Sequence, residues 1–195
     1  MKSGFLQSGA IALALTLAGC ASGGAGGSTG SAAGGMDVAR FHLGDQTIAR
    51  SQIAIEPFDR ADANRSEFPA YAAAVSRELT RLGWTVVPAN ARTEQVALID
   101  VEQGSREAIA ALTAARIGRG VAPGMPQGES ANVTATLLEV GIRRRSDATV
   151  FWEGRAVSEA RTGTAAAAST AAVERLSAAM FRDFPGESGR TIRLK

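Results

Sequence analysis

Two carboxylates and a lone histidine are the residues of this chain that could take part in acid–base chemistry. Asp100 and Glu102 stand two residues apart in a predicted strand, so their side chains share one face of it. Such a pair could donate and accept protons, but solvated charges near a strand end give the same pattern, and we favour that second interpretation. His42, the single histidine, falls inside another short predicted strand, which favours a structural or surface role. We therefore assign no catalytic residue and predict that the protein is not an enzyme.

Metal ions and phosphate-bearing cofactors need residue sets that this sequence lacks. A structural zinc site uses several cysteine or histidine ligands, whereas the chain contains one residue of each type. Gly118, Gly120 and Gly124 follow neither the dinucleotide-binding spacing nor the P-loop spacing, because no Gly-Lys-Ser/Thr follows them. The sequence predicts neither a metal site nor a cofactor.

Three consecutive arginines, Arg143, Arg144 and Arg145, form the strongest local cluster of charge. Guanidinium groups bind phosphate and anionic lipid head groups, so these arginines are the candidate binding residues. The alternative is a solvated hairpin end in which some of the arginines pair with Asp147 or Glu159. Across the chain 21 Lys and Arg face 19 Asp and Glu, a net charge of +2, and this near balance argues against nucleic acid as a partner.

Cys20 is the single cysteine, so an intrachain disulfide is excluded. It follows Lys2 and an apolar run over 11–17, which is the layout of a secretory signal. That run is shorter than the about 20 apolar residues that a membrane-spanning helix needs. The tetrapeptide Leu17-Ala18-Gly19-Cys20 resembles the lipobox of bacterial lipoproteins. The resemblance implies that residues 1–19 are removed as a signal peptide and that Cys20 is lipidated, which would anchor the chain to a membrane.

The residue that follows Cys20 bears on the choice of membrane. In well-studied lipoproteins an aspartate at this position retains the protein at the inner membrane, and this chain has Ala21 there. The resemblance therefore implies an outer-membrane location in a Gram-negative bacterium, with the protein facing the periplasm.

A tether and a single domain are predicted from Cys20 onwards. Residues 20–36 consist mostly of Gly, Ala, Ser and Thr, which is typical of a flexible tether. Residues 37–195 are long enough for one globular domain. Hydrophobic periodicity predicts strands over 38–43, 52–58, 84–87, 95–102, 132–145, 149–159 and 191–194, and helices over 66–82, 105–117 and 164–183. This order predicts an α+β fold, an antiparallel-rich mixed sheet with two main helices packed on one face.

The long hairpin gives more specific expectations. In strand 132–145 the apolar positions change parity at Leu137 and Leu138, which predicts a β-bulge there. In the returning strand Val150 and Trp152 have the same parity and are expected on one side of the sheet. Trp152 and Trp84 are both predicted to be core residues.

Three segments of the chain also resemble a known family. They are Leu82-Gly83-Trp84 at a helix end, the strand Val150-Phe151-Trp152-Glu153-Gly154, and the ending Met180–Gly189 with its Phe-Pro-Gly. Together they are similar to the bacterial lipoproteins grouped as domain of unknown function 4136, in the alphaproteobacterial branch, over roughly Asp37 to Leu194. The family has no established catalytic residues, so the resemblance implies a fold and a location only.

Two functions fit these features. An anchor, a tether and a domain without assigned catalytic residues predict a non-enzymatic envelope lipoprotein that acts as an interaction or accessory module, with an envelope protein as its partner. The alternative is a periplasm-facing carrier or binder of lipid or another small apolar ligand, held in a groove between the sheet and a helix.

Overall fold

The computed structural model of the chain describes residues 33–43, 48–116 and 132–195. Within these ranges the backbone forms a seven-stranded sheet and three α-helices. In chain order the elements are β1 (Ala33–His42), β2 (Gln52–Pro57), α1 (Phe68–Arg81), β3 (Thr85–Val87), β4 (Gln95–Gly104), α2 (Arg106–Ala115), β5 (Val133–Arg144), β6 (Val150–Arg161), α3 (Ser169–Met180) and β7 (Thr191–Leu194). The first strand begins at Ala33 rather than at the expected domain start, Asp37, because Met36 already pairs with β6 and β7.

The sheet is mixed but mostly antiparallel. Its strand order is β3-β2-β4-β5-β6-β1-β7. β2 lies parallel to both β3 and β4, and the other neighbouring pairs are antiparallel. Parallel neighbours need a crossover connection, and α1 provides it between β2 and β3. This arrangement confirms the predicted α+β class with an antiparallel-rich mixed sheet.

Helices α1 and α3 pack against the same side of the sheet, which we call the helix face. α1 has Pro69 in its first turn, where proline is tolerated, and it ends before Gly83, whose φ of +100° suits the glycine that follows a helix. The buried residues of this core are Val38, Ile53, Ile55, Ala97, Ile99, Val101, Leu138, Val140, Ile142, Trp152 and Ala156 from the sheet, Tyr71, Ala74, Val75, Leu79, Val173, Leu176, Ala179 and Met180 from the helices, and Trp84 and Phe181, which follow α1 and α3. The prediction of two main helices on one face is confirmed.

The opposite side of the sheet, which we call the open face, is covered only in part. α2 begins after Ser105, whose hydroxyl accepts a hydrogen bond from the backbone N–H of Ala108. Its Ile109 belongs to a small apolar cluster with Leu137 and Val157 of the sheet. Beyond α2 the open face carries mainly charged side chains and a cavity.

Both sides of β5 are buried, and this explains the parity change in its sequence. β5 keeps an unbroken register with β4 from Ala135 to Arg144, so the predicted bulge at Leu137 and Leu138 is wrong. Leu138 belongs to the core of the helix face, and Leu137 belongs to the cluster under α2. A strand covered on both faces shows apolar residues at both parities without any bulge.

The register shift of this hairpin lies nearer its turn. Ile142 pairs with Trp152, but the next residue, Arg143, pairs with Val150, so Phe151 is an extra residue on β6. A bulge of this kind reverses the side to which the following residues point. Val150 therefore lies on the open face while Trp152 lies on the helix face, and the expectation that they share one side is wrong.

Aromatic rings complete the helix face near the end of α3. Trp152 stacks on Phe181 with ring centres 5.0 Å apart, and Trp84 meets Phe184 edge-on at 5.4 Å. The indole N–H of Trp152 donates to the carbonyl of Pro185 at 2.9 Å. Both tryptophans are almost fully buried, which confirms that they are core residues.

Candidate functional site

A cavity of about 240 Å³ lies on the open face, over Gly141 of β5. Gly141 pairs with Leu98 of β4 on one side and with Glu153 of β6 on the other. Residues paired in this way project side by side on one face of a sheet, so the glycine leaves a gap between two side chains. A Cβ placed on Gly141 would meet no heavy atom within 4 Å. The missing side chain therefore creates the space.

Apolar side chains form one part of the cavity wall. Phe58, which follows β2, is 57% exposed, and Val150, at the start of β6, is 39% exposed. Leu98 lines the cavity with them and is itself buried. The backbone N–H of Phe58 donates to the carbonyl of Ile99 at 2.8 Å, which holds this residue at the end of β2. Large apolar groups exposed together in this way are available to a ligand or a partner.

A chain of ion pairs forms the other part of the wall. The guanidinium of Arg116, at the end of α2, lies 2.6 Å from a carboxylate oxygen of Asp100 and also contacts Glu139. Arg155 bridges Glu139 and Glu153, at 2.7 and 2.5 Å. Asp100, Glu139 and Arg155 stand opposite one another on three neighbouring strands. Each carboxylate of the wall therefore has a guanidinium partner.

Burial raises the pKa of carboxyl groups on the open face, among them Glu153 in the cavity wall and Glu102 beside Asp100. The pKa of Glu153 is raised above its ordinary value, first because burial disfavours the charged form; Arg155 opposes this effect and the charge of Glu139 adds to it. The pKa of Glu102 is raised for the same first reason, with the charge of Asp100 as the next contribution. Both carboxyl groups thus hold a proton more readily in the folded protein than in water.

The structure divides the three candidate arginines among different surroundings. Arg143 lines the cavity and forms no ion pair with the residues that the structure describes. Arg144 pairs with Asp147 at 2.8 Å, and Arg145 pairs with Glu56 at 2.7 Å. The three guanidinium groups therefore do not form one anion site, and the predicted alternative of a paired hairpin end holds for Arg144.

Glu159, the other predicted partner of these arginines, is bound elsewhere. The Nε of Arg106, at the start of α2, lies 2.5 Å from a carboxylate oxygen of Glu159. Since Arg116 binds the sheet at the other end of the same helix, arginines attach both ends of α2. The apolar cluster under this helix is small, and these ion pairs add polar contacts with the sheet at both ends of the helix.

Asp100 and Glu102 are brought together, as their shared parity predicted. Both bind Arg116, at 2.6 and 3.6 Å. Asp100 is buried, so its interpretation as a solvated charge near a strand end is wrong. β4 continues beyond it to Gly104, and the arginine at the end of α2 covers this part of the strand.

His42 binds the C-terminal part of the chain. Its ring Nε2 lies 3.1 Å from the carbonyl oxygen of Gly186, and its backbone N–H donates to the hydroxyl of Ser188 at 3.1 Å. These contacts give the histidine a structural role, one of the two roles predicted for it. Across the described residues, no three or more His, Cys, Asp or Glu side chains are grouped so that they could hold a metal ion.

Cys20 lies outside the residues that the structure describes, as do the signal peptide predicted over 1–19 and the tether up to residue 32. Its lipidation therefore stays a prediction. Among the helices in the described ranges, none has the length and apolar character needed to cross a lipid bilayer.

Sequence reasoning singled out Arg143 but missed the cavity and the ion pairs of Arg116 and Arg155 beside it. A glycine inside a strand can mark a place where a side chain would be unwelcome or is not needed, and Gly141 carried this signal. Arg116 stood at the end of a predicted helix, but its partners Asp100 and Glu139 lie on two different strands. Only the packing of α2 on the sheet brings these three residues together.

Comparisons with known proteins give a distant relative and fold-level similarity. No family model matches the chain. An uncharacterized protein of Zymomonas mobilis is 27% identical over an alignment of 213 residues, covering 82% of this chain and 80% of that protein. A PDZ domain protein from Parabacteroides distasonis is similar with a TM-score of 0.50 and 11% identity, over 83% of this chain and 38% of that one. A PelC dodecamer from Paraburkholderia phytofirmans gives a TM-score of 0.40 and 12% identity, over 74% of this chain and 92% of that one.

Proposed function

We propose that this protein is a cell-envelope lipoprotein, anchored through lipidated Cys20 to the outer membrane and facing the periplasm, that acts as a non-enzymatic interaction module. The lipobox-like Leu17-Ala18-Gly19-Cys20 and the following Ala21 support the anchor. Fully extended, residues 21–32 reach at most about 40 Å, which would keep the domain close to the membrane yet clear of the head groups. We also propose that the protein belongs to the lipoproteins grouped as domain of unknown function 4136, which its sequence resembles.

The open face is the observation that carries the interaction role. Phe41, which pairs with Glu153 across β1 and β6, and Phe58 are both exposed there. Acid–base catalysis needs a group that can exchange a proton with a substrate, whereas Glu139 and Glu153 are both engaged by Arg155. Exposed apolar groups among paired charges suit contact with a partner better than proton transfer. The expected partner is an envelope protein with a complementary apolar patch.

Photo-crosslinking in cells tests this face. A photoreactive amino acid is introduced at Phe41 or at Phe58, and Ala73, which is exposed on α1, serves as the matched control position. We expect the same envelope protein to be captured from Phe41 and Phe58 and not from Ala73. Equal capture from all three positions, or no capture from the two phenylalanine positions, would contradict the proposal.

The anchor is tested separately from the interaction. The full chain and its Cys20→Ala variant are produced in a Gram-negative host supplied with labelled palmitate. We expect the unaltered chain to carry the label and to sediment with the outer membrane, and the variant to do neither. A variant that keeps both the label and the membrane fraction would exclude Cys20 as the lipidated residue.

Binding of a small ligand is the second candidate function, and the cavity over Gly141 favours it. A ligand groove between sheet and helix was expected, but near Gly154 this space is filled. A Cβ at Gly154 would lie 2.3 Å from the Trp152 ring and 2.6 Å from the sulfur of Met180. The open face is therefore the better location for a ligand.

A further inference from the structure

We propose that the cavity over Gly141 binds a small amphipathic carboxylate. The apolar part of the ligand lies against Phe58, Leu98 and Val150, and its carboxylate binds Arg143. This inference rests on the second candidate function, small-ligand binding, and names the chemical class of the ligand.

The volume of the cavity sets the size of the ligand. Pockets for drug-sized molecules measure about 300–1,000 Å³, whereas this cavity measures about 240 Å³. At about 30 Å³ for each water-sized group, it holds roughly eight non-hydrogen atoms. Hexanoate, with a six-carbon skeleton and two oxygens, matches this size.

The apolar wall selects an apolar body for the ligand. Phe58 and Val150 are large side chains that remain in contact with water, and a ligand that covers them removes apolar surface from solvent. Gly141 offers no side chain at the floor, so a hydrocarbon chain can lie against the backbone of β5 between Leu98 and Glu153.

The charges of the wall select a carboxylate. Asp100, Glu139 and Glu153 each contact a guanidinium already. Arg143 is the charged lining residue that has no ion pair within the described ranges. A carboxylate can form two parallel charge-assisted hydrogen bonds with a guanidinium, whereas an amine would be repelled by it.

The register of the strands makes both contacts possible for one molecule. Arg143 pairs with Val150 across β5 and β6, so the free positive charge adjoins the apolar wall. Asp100 and Glu139 form the next row on the other side of Gly141. A ligand whose chain lies over Gly141 therefore reaches Arg143 with its carboxylate directed away from the acidic row.

Three probes with the same number of carbon atoms separate the charge from the apolar body. The full-length chain with Cys20→Ser, which prevents lipidation, is titrated with hexanoate, hexanol and hexylamine, and backbone amide shifts are followed by NMR. We expect hexanoate to bind at least about tenfold more tightly than hexylamine, with shifts concentrated at Leu98, Gly141 and Val150. Binding of hexanol or hexylamine as tight as that of hexanoate would overturn the carboxylate assignment.

Variants locate the site and its charge. Gly141→Val fills the cavity without a clash at its Cβ, and we expect it to melt no lower than the unaltered chain and to lose binding of hexanoate and hexanol. Arg143→Gln should weaken hexanoate about tenfold and leave hexanol unchanged. Arg144→Gln, whose arginine is paired with Asp147, is the matched control and should change neither.

The outcomes separate this inference from the function on which it rests. If none of the three probes binds, small-ligand binding at this cavity fails together with the inference. If hexanol binds and Gly141→Val abolishes its binding, but Arg143→Gln leaves hexanoate unaffected, the ligand site stands and the carboxylate class is wrong. Retained binding in Gly141→Val would show that the cavity is not the site.

Discussion

The two faces of the sheet bury their residues by different means. On the helix face Trp152 stacks on Phe181, and apolar side chains from α1 and α3 fill the space above the strands. On the open face a row of charged residues, Asp100, Glu139 and Arg155, crosses three strands, and a cavity lies beside it. Close apolar packing tolerates little change in side-chain volume. The ion pairs of the open face instead require matched charges, and they leave a cavity beside them unfilled. The helix face is therefore suited to stability and the open face to binding.

Arg40 is a charged residue buried on the helix face, and its hydrogen bonds show how the charge is accommodated there. Arg40 is 3% exposed, and its guanidinium donates to the carbonyls of Met180 and Ala179 at the end of α3. Burial lowers its pKa, and the charge of Asp183 opposes this effect. Backbone carbonyls that α3 leaves without helical partners accept these hydrogen bonds, so the arginine completes the helix end.

Loss of one aromatic ring on each face should give the largest difference. Phe181→Ala removes a fully buried ring and should lower the free energy of unfolding by about 3–5 kcal/mol, the usual cost for a buried phenylalanine. Phe58→Ala removes a ring that is mostly exposed and should cost less than about 1 kcal/mol. Urea unfolding measures both values. Equal costs would mean that the open face contributes to stability as the helix face does.

Addition of a methyl group to a glycine on each face should have opposite effects. Gly154→Ala brings the new Cβ against Trp152 and Met180 and should destabilise the protein by about 1–3 kcal/mol. Gly141→Ala meets open space and should stabilise it by roughly 0.5 kcal/mol, because glycine is unfavourable inside a strand. Thermal unfolding of the two variants provides the comparison. Destabilisation by Gly141→Ala would contradict the described cavity.

Removal of the arginine at the end of α2 should loosen that helix alone. Arg116→Gln removes the guanidinium that binds Asp100 and Glu139, and we expect hydrogen exchange in α2 to become about tenfold faster while α1 keeps its protection. Arg77→Gln is the control, because it removes an exposed ion pair with Glu174 between α1 and α3 and should have little effect. If hydrogen exchange in Arg116→Gln became faster across the whole domain, α2 would not open independently of the rest of the protein.

The pH dependence of the melting temperature should give the smallest of these effects. It reports on Glu153, which lies on the open face. Because the pKa of Glu153 is raised by folding, its favourable contribution is present at low pH and is lost as the pH rises through the folded pKa. Glutamine imitates the protonated form. The melting temperature of Glu153→Gln relative to that of the unaltered chain should therefore increase from about pH 4 to about pH 7. A relative stability that falls over this range would mean that the ion pair with Arg155 outweighs burial.

Local sequence signals predicted the elements well, and the predictions failed where distant segments meet. Pro69 and Gly83 mark the two ends of α1 because both act through their own backbone. The parity change at Leu137 and Leu138 was misread, since the sequence does not reveal that α2 returns to cover the second side of β5. Local patterns describe a segment; which side a neighbour covers depends on the whole topology.

The candidate site was even less accessible to sequence reasoning than the topology. Arg143 was selected with its two neighbours as one charged cluster, but strand geometry and the register shift send consecutive side chains to different surroundings. The ion pairs that distinguish them, such as Arg145 with Glu56 on β2, join residues far apart in the chain. Charge density in a sequence therefore identified the right segment and could not identify which of its residues remains unpaired.

The position of β1 determines how the domain would respond to a pull from its N-terminal side. β1 lies between β6 and β7, and its pairing with β6 is regular from Met36 to His42, with one register shift between Ala33 and Met36. When a partner holds the open face near Phe41 and Glu153, at the opposite end of this pairing, tension that enters at Ala33 runs along β1. The hydrogen bonds between β1 and β6 then share the load in shear instead of breaking one after another. If the proposed anchor at Cys20 holds the chain to a membrane, the load enters the sheet along a strand that is paired on both sides.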